Sequence, residues 1–228
     1  LAGVNLLVAA YTYSVVPEFM FRLICWMLAH VVYRLRIEGR HGIPKTGAAV
    51  LVCNHVTFVD WLILSAATQR PIRFVMHHQF LKVPFTGRIF RDAKVIPIAG
   101  AKENAEVLEA AFDTIARELA EGELVCLFPE GRLTTDGQLS PFRRGIERII
   151  AASPVPVVPM ALEGLWGSLF SRSGNVPERH RFGHLWQKVS LTIGQPMAPE
   201  SVTVEQVEKS IVELLASAKS RAEPSAQA

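Results

Sequence analysis

Apolar and polar positions divide the chain into an uncharged start and an alternating remainder. Residues 1–17 carry no charge, and Glu18 is the first charged residue. After Arg22 the stretch Leu23–Tyr33 is again uncharged, and Arg34 and Arg36 follow. Seventeen residues is the lower limit for a spanning helix, Pro17 closes the run, and eleven residues are too few to cross a bilayer. Two short apolar helices broken at Pro17, with Trp26 and flanking arginines, therefore predict a hairpin that docks on a membrane. Two other readings stay open, an ordinary buried hairpin and the end of a transmembrane helix from a longer protein.

From residue 35 onward the pattern alternates between strand and helix. Leu35–Glu38, Ala48–Cys53, Arg73–Met76, Val95–Ile98, Glu123–Phe128, Val155–Leu162 and Lys188–Ile193 read as strands. The prolines in Val155–Leu162 predict an irregular or edge position for that strand. Asp60–Ala67 and Val204–Lys219 read as helices. Over Asn104–Glu121, Val107, Leu108, Ala111, Phe112, Ile115 and Leu119 recur at helical spacing, and Gly122 stops the helix. Ser140-Pro141 predicts a further helix start, running to about Ala152. Residues 164–186 form a long loop rich in Gly, Ser and Arg, with Trp166 and Trp186. The pattern predicts one α/β domain: a mixed central sheet covered by helices, with an N-terminal apolar helical hairpin. The expected organisation is residues 1–34 for membrane docking, 35–219 for the domain and 220–228 as a disordered tail.

Composition narrows the class. The chain has 228 residues, half of them apolar and 20% charged, with a mean hydropathy of +0.24. Disordered, collagen-like and coiled-coil chains are excluded. Lys+Arg exceed Asp+Glu by 24 − 21 = 3, and the pI is near 8.9. That balance is too mild to argue for nucleic acid and suits anionic lipid or an acidic partner. Three cysteines without CxxC spacing argue against a disulfide framework or a cysteine zinc site. Cys53 and Cys126 read as small reduced core residues, which fits a cytoplasmic compartment.

Chemistry concentrates in two strings. In CNHVTFVDW, Asn54-His55 follows a buried strand, where ligands and catalytic groups gather in α/β sheets. His55 and Asp60 are five apart and would diverge by about 140° on one helix. With His55 on the loop and Asp60 in the first helical turn, imidazole and carboxylate can meet, making the other ring nitrogen a better base. A capping box of Thr57 and Asp60 beside a loop histidine is the competing reading. No Ser or Cys nucleophile stands next to the pair, so a base at His55 takes its proton from a substrate. The second string, FPEGR, also leaves a strand end, 75 residues after His55 for its Glu130. Gly131 permits close backbone approach, and Arg132 offers a planar fork for phosphate or carboxylate. Glu130 holds that fork or a substrate hydroxyl, and Arg143 and Arg144 add positive potential; a tight turn with a local Glu–Arg pair is the plainer alternative.

NHxxxxD, FPEGR, PFRRG (Pro141–Gly145) and VPVVPM (Val155–Met160) together resemble the glycerolipid acyltransferases, which include the 1-acylglycerol-3-phosphate O-acyltransferases. The resemblance covers roughly residues 35–195. It implies that His55 is the general base toward a lysolipid hydroxyl and that Asp60 orients it. Asn54, Glu130, Gly131 and Arg132 become acceptor-binding residues, and Val155–Met160 lies near the acyl donor. The donor is an acyl thioester, acyl-CoA or acyl carrier protein, used as co-substrate with no metal or other cofactor. The implied partners are membrane lipid and a lysophospholipid, and the implied place is the cytoplasmic face of a bacterial inner membrane.

One departure stands out. Where the family's second motif carries an arginine, the chain reads AKVIPIAG (Ala93–Gly100), with Lys94 or Lys102 as the nearest cations. This pattern looks more like the acyltransferase portions of bacterial fusions with a transporter and an acyl–carrier-protein ligase, linked to lysophosphatidylethanolamine reacylation. An excised domain of that kind accounts for Leu1 and the apolar start. Between Arg70 and Lys94, six basic residues face one acid, Asp92. They read as a solvated or lipid-headgroup face, or as a dock for acyl carrier protein or coenzyme A. His77 and His78 are adjacent, and no acid or cysteine close in sequence completes a metal set, so they read as interfacial or structural. Two rival functions keep the same residues: a lipid thioesterase or hydrolase with water as acceptor, and a non-catalytic lipid-binding module.

Overall fold

A computed structural model describes residues 3–5, 8, 11, 17–84, 86–168 and 186–222. Helix α1 (Pro17–Val32) leads into β1 (Tyr33–Glu38), β2 (Ala49–Cys53), α2 (Asp60–Ala67), β3 (Ile72–His77), α3 (Thr86–Asp92) and β4 (Ile96–Ile98). Then come α4 (Ala105–Ala120), β5 (Leu124–Leu127), α5 (Gly145–Ala152), β6 (Val157–Glu163), β7 (Gln187–Ile193) and α6 (Val204–Ala222). Among the described residues, seven strands form one sheet in the order β1-β7-β6-β2-β5-β3-β4. β6 and β7 pair antiparallel and every other neighbouring pair is parallel, so the sheet is mixed as expected.

Strand periodicity sorts the core into two layers. Ala49, Leu51 and Cys53 of β2, with Leu124 and Cys126 of β5, face the layer that holds Cys25 and Ala29 of α1 and most of α2. Val50, Val52, Val125 and Leu127 face the layer built with Ala111, Ile115 and Leu119 of α4, Ile146 and Ile149 of α5, and Val207 and Ile211 of α6. All three cysteines are buried and free. Burial pushes the Cys25 thiol up to about 12.

The proline-bearing strand is interior rather than an edge. β6 lies between β7 and β2, and β1 and β4 are the edges. Val50 donates its N–H to the Pro156 carbonyl, so alternation turns the nitrogens of Val158 and Met160 toward β2 and that of Pro159 away. On that other side Gly194 donates to the Pro159 carbonyl, just past the end of β7. The missing Pro159 donor therefore falls where the ladder stops.

Of the six cations of the basic run only Arg73 is buried; Lys82, Arg88, Arg91 and Lys94 are exposed, as a solvated face predicts. Arg73 is 2% exposed and meets Glu18 at 3.3 Å, Glu118 at 2.8 Å and Glu123 at 3.1 Å. Arg70 donates to the carbonyls of Pro44, Gly47 and Gly122, joining three loops. Lys94 pairs with Glu18 at 3.1 Å, and Arg91 donates to the Leu81 carbonyl. Four of the six cations thus make tertiary contacts, two of them with glutamates and two with backbone carbonyls.

Helix α1 buries Cys25 and Ala29, while Phe19, Leu23, Trp26, Met27, Leu28 and Val31 are exposed. Among the described residues no helix is long and apolar enough to cross a membrane. The first half of the expected hairpin lies mostly outside the described residues, as do most of the 164–186 loop and residues 223–228 of the tail. Arg221 near the end of α6 pairs with Glu38 at 2.9 Å.

Removing buried Arg73 would leave three partly buried carboxylates facing one another without their shared cation. Arg73→Ala is expected to destabilise the fold by about 3 kcal/mol, read as a lowered midpoint of urea unfolding. An unchanged midpoint would contradict this role.

Candidate active site

Register brings the two sequence strings together. Val52 of β2 lies level with Leu127 of β5, so three residues further on His55 and Glu130 stand side by side. On the other flank Cys53 lies level with Met160, which brings Asn54 to Leu162. The site forms where these three parallel strands end.

Asp60, the first residue of α2, is fully buried and collects four donors from the turn before it. His55 Nδ1 is 2.9 Å from Oδ2, and Val56 N–H donates to the same oxygen at 2.7 Å. Thr57 donates its N–H at 3.0 Å and its hydroxyl at 2.6 Å. Capping and histidine orientation, which competed as readings of the sequence, are met by one carboxylate. Asp60 reaches back to the Thr57 N–H as in a capping box, but Val59, not Thr57, is the N-cap of α2. A carboxylate on Nδ1 leaves Nε2 of His55 as the outward nitrogen. The His55 side chain is 23% exposed, and its ring stacks on Phe128 with centroids 4.2 Å apart.

Two further polar side chains are spent on backbone. The Asn54 amide donates to the Leu162 carbonyl at 2.9 Å and accepts its N–H at 2.7 Å, stitching β2 to β6. Glu130, 3% exposed, takes the N–H of His55 at 2.7 Å and that of Ser140 at 2.8 Å. It holds neither Arg132 nor open solvent. Burial raises its carboxyl above the ordinary range, while the two N–H donors oppose that shift. Glu130's grip on Ser140, with the Arg143 N–H bonded to the Pro129 carbonyl, delays the expected helix, so α5 begins at Gly145 rather than at Pro141.

Thr134 donates its N–H to the His55 carbonyl at 3.1 Å. The His55 peptide is therefore fastened by Glu130 on one side and Thr134 on the other, and between these two Gly131 and Arg132 are exposed while Leu133 is buried. Gly131 has φ +63°, and a Cβ there would meet the Arg143 guanidinium at 2.7 Å. Arg132 and Arg143 are exposed, and neither guanidinium makes an ion pair among the described residues. Such a pair suits an anion.

Of the cations nearest the altered second motif, Lys94 lies before β4 and is taken by Glu18. Lys102 follows β4 and is exposed. Val157, Val158 and Met160 of the VPVVPM segment are buried within the sheet. His77 and His78, for which no acid was expected, share Glu103 at 2.8 Å and 2.9 Å. Glu103 escaped sequence reading because it lies 25 residues beyond His78, across β4.

The candidate site is thus a histidine–carboxylate pair at the end of central parallel strands, with the exposed Arg132 following Gly131 and the Arg143 guanidinium lying against that glycine. The chain belongs to the Acyltransferase family, whose pattern matches residues 34–163. It is similar to a chloroplastic 1-acyl-sn-glycerol-3-phosphate acyltransferase from Brassica napus, 30% identical over 135 residues, 58% of this chain and 38% of that protein. A probable 1-acyl-sn-glycerol-3-phosphate acyltransferase from Mycoplasma pneumoniae is 23% identical over 184 residues, 74% of this chain and 67% of that one. The chain spans well under two thirds of such relatives' length: 38% of the Brassica napus protein and 36% of a chloroplastic 1-acyl-sn-glycerol-3-phosphate acyltransferase from Arabidopsis thaliana. The crystal structure of the 1-acyl-sn-glycerophosphate acyltransferase PlsC from Thermotoga maritima shares the fold, with a TM-score of 0.69 at 19% identity. It covers 89% of this chain and 81% of its own.

Asn54→Ala would strand the N–H and carbonyl of Leu162 between two core strands. The expected cost is about 2 kcal/mol, seen as a lower thermal midpoint; wild-type stability would contradict the stitch.

Proposed function

We propose that the protein is an O-acyltransferase that moves an acyl chain from an acyl thioester to the free hydroxyl of a lysophospholipid or 1-acylglycerol-3-phosphate. The observation that carries this reading is His55 Nδ1 held at 2.9 Å by buried Asp60, which leaves Nε2 to face a substrate.

Nε2 takes the proton of the acceptor hydroxyl as its oxygen attacks the thioester carbonyl carbon. The C–O bond forms and the C–S bond breaks. The imidazolium returns the proton to the departing thiolate, so the ring ends neutral. Asp60 keeps the imidazole in one orientation and stabilises its transient positive charge. Its other three donors compensate for burying the carboxylate. Arg132, with Arg143 beside it, holds the acceptor's phosphate group. Asn54 and Glu130 serve as positioning residues, because both spend their side chains on backbone. The donor is acyl-CoA or acyl carrier protein. The exposed apolar face of α1 rests on the cytoplasmic face of the membrane, from which the lysolipid enters.

Thiol release measured with acyl-CoA and acyl carrier protein donors, crossed with lysophosphatidate and lysophosphatidylethanolamine, tests this reading. Release is expected to require a lysolipid and to yield the diacyl product. His55→Ala should lower the rate about 10²–10⁴-fold with the fold intact, and Arg132→Ala should raise the acceptor KM. Lysolipid-independent release of fatty acid would make the protein a hydrolase. Vesicle binding without thiol release would make it a binding module.

A further inference from the structure

We propose that His77, His78 and Glu103 form a binding site for a divalent transition metal of the zinc class. Two adjacent residues meet one distant in sequence. His77 ends β3, His78 opens the short 3-10 turn His78–Lys82, and Glu103 lies in the turn between β4 and α4. Each offers one ligand atom, and these atoms all lie within 4.8 Å of one another. The carboxylate reaches the two Nε2 atoms at 2.8 Å and 2.9 Å, and the ring centroids are 4.7 Å apart.

Backbone geometry sets this convergence. The N–H groups of Glu103 and Asn104 both donate to the Gly100 carbonyl, and the Asn104 side chain caps α4 through Val107 N–H. Glu103 is thus fixed between a tight turn and a helix start. His77 lies level with Ile98 in the β3–β4 ladder, so the turn that follows β4 must pass the end of β3. The three side chains are 38%, 20% and 41% exposed, which leaves them open to an ion from solvent. Among the described residues their side chains make no hydrogen bond except to one another.

Two imidazole nitrogens and one carboxylate oxygen match a zinc ligand set that leaves one or more positions for water. Metal–ligand distances of about 2.0–2.2 Å place tetrahedral donors somewhat further apart than the present hydrogen bonds, so small ring movements suffice. On binding, each neutral imidazole gives its Nε2 lone pair to the metal and carries its proton on Nδ1. The two nitrogens favour zinc, cobalt, nickel or copper over magnesium and calcium, which prefer oxygen. Occupancy would tie the end of β3 to the turn before α4. It would also brace Phe80, which meets Phe58 of the turn after His55 with centroids 6.2 Å apart.

The test uses the untagged chain, stripped with a chelator and titrated with zinc chloride by calorimetry, with cobalt(II) absorbance as a ligand-sensitive readout and magnesium as control. One saturable zinc site per chain is expected, with no competition from magnesium. His77→Ala, His78→Ala and Glu103→Gln should each weaken binding at least about tenfold, with unchanged far-UV circular dichroism. Absence of saturable zinc binding by the wild type overturns the proposal. So does undiminished affinity in the variants, which places the ion elsewhere. Should one variant fail to fold, the other two decide. The readout needs no substrate, so its failure and the failure of acyl transfer are separate results.

Discussion

The Asp60 carboxylate is the constraint on which the site depends. It is fully buried, and three consecutive residues, His55, Val56 and Thr57, turn their donors toward it. A buried carboxylate without such partners would be prohibitively costly, and each stranded donor would cost about 1–3 kcal/mol. The turn and the carboxylate therefore fix each other. Asp60 opens α2, a helix whose other residues apart from Trp61 are buried, so core packing decides where the carboxylate stands. The orientation of one imidazole is in this way inherited from the packing of a helix against a sheet.

The sheet supplies the second half of the arrangement. β2 is flanked by β5 and β6, and each neighbour fastens the loop that follows it: Glu130 from one side, Leu162 from the other. Buried polar side chains are used up on backbone, whereas Arg132 and Arg143 stay exposed on the same loop. Buried groups thus hold the His55 loop, and exposed cations stand near it. Toward the opposite end of the sheet cations are spent on the protein itself, with Arg70, Arg73 and Lys94 bound to carbonyls and glutamates.

Much of this was legible in the residues. Continuous apolar runs in Ala48–Cys53 and Glu123–Phe128 gave two buried strands, and the five-residue spacing of His55 and Asp60, split between loop and first helical turn, allowed their meeting. Features set by long-range pairing were not legible. Nothing local tells that Asn54 will face Leu162, because that depends on which strand lies beside β2. Arg73 reads as a surface cation until Glu18, Glu118 and Glu123 converge on it. Pro159 argued for an edge, and only the parity of the ladder shows how an interior strand tolerates it. The delayed start of α5 has the same origin, since Glu130 captures the N–H of Ser140.

The central claim is that Asp60 holds the proton of His55 on Nδ1 and leaves Nε2 with the lone pair. Nitrogen-15 NMR of the histidine side chains, with His55 assigned by its loss in His55→Ala, tests this directly. At a pH where the ring is neutral, the account predicts the Nδ1–H tautomer, with a strongly hydrogen-bonded ring proton. A neutral ring protonated on Nε2, or a rapid mixture of both tautomers, would contradict it.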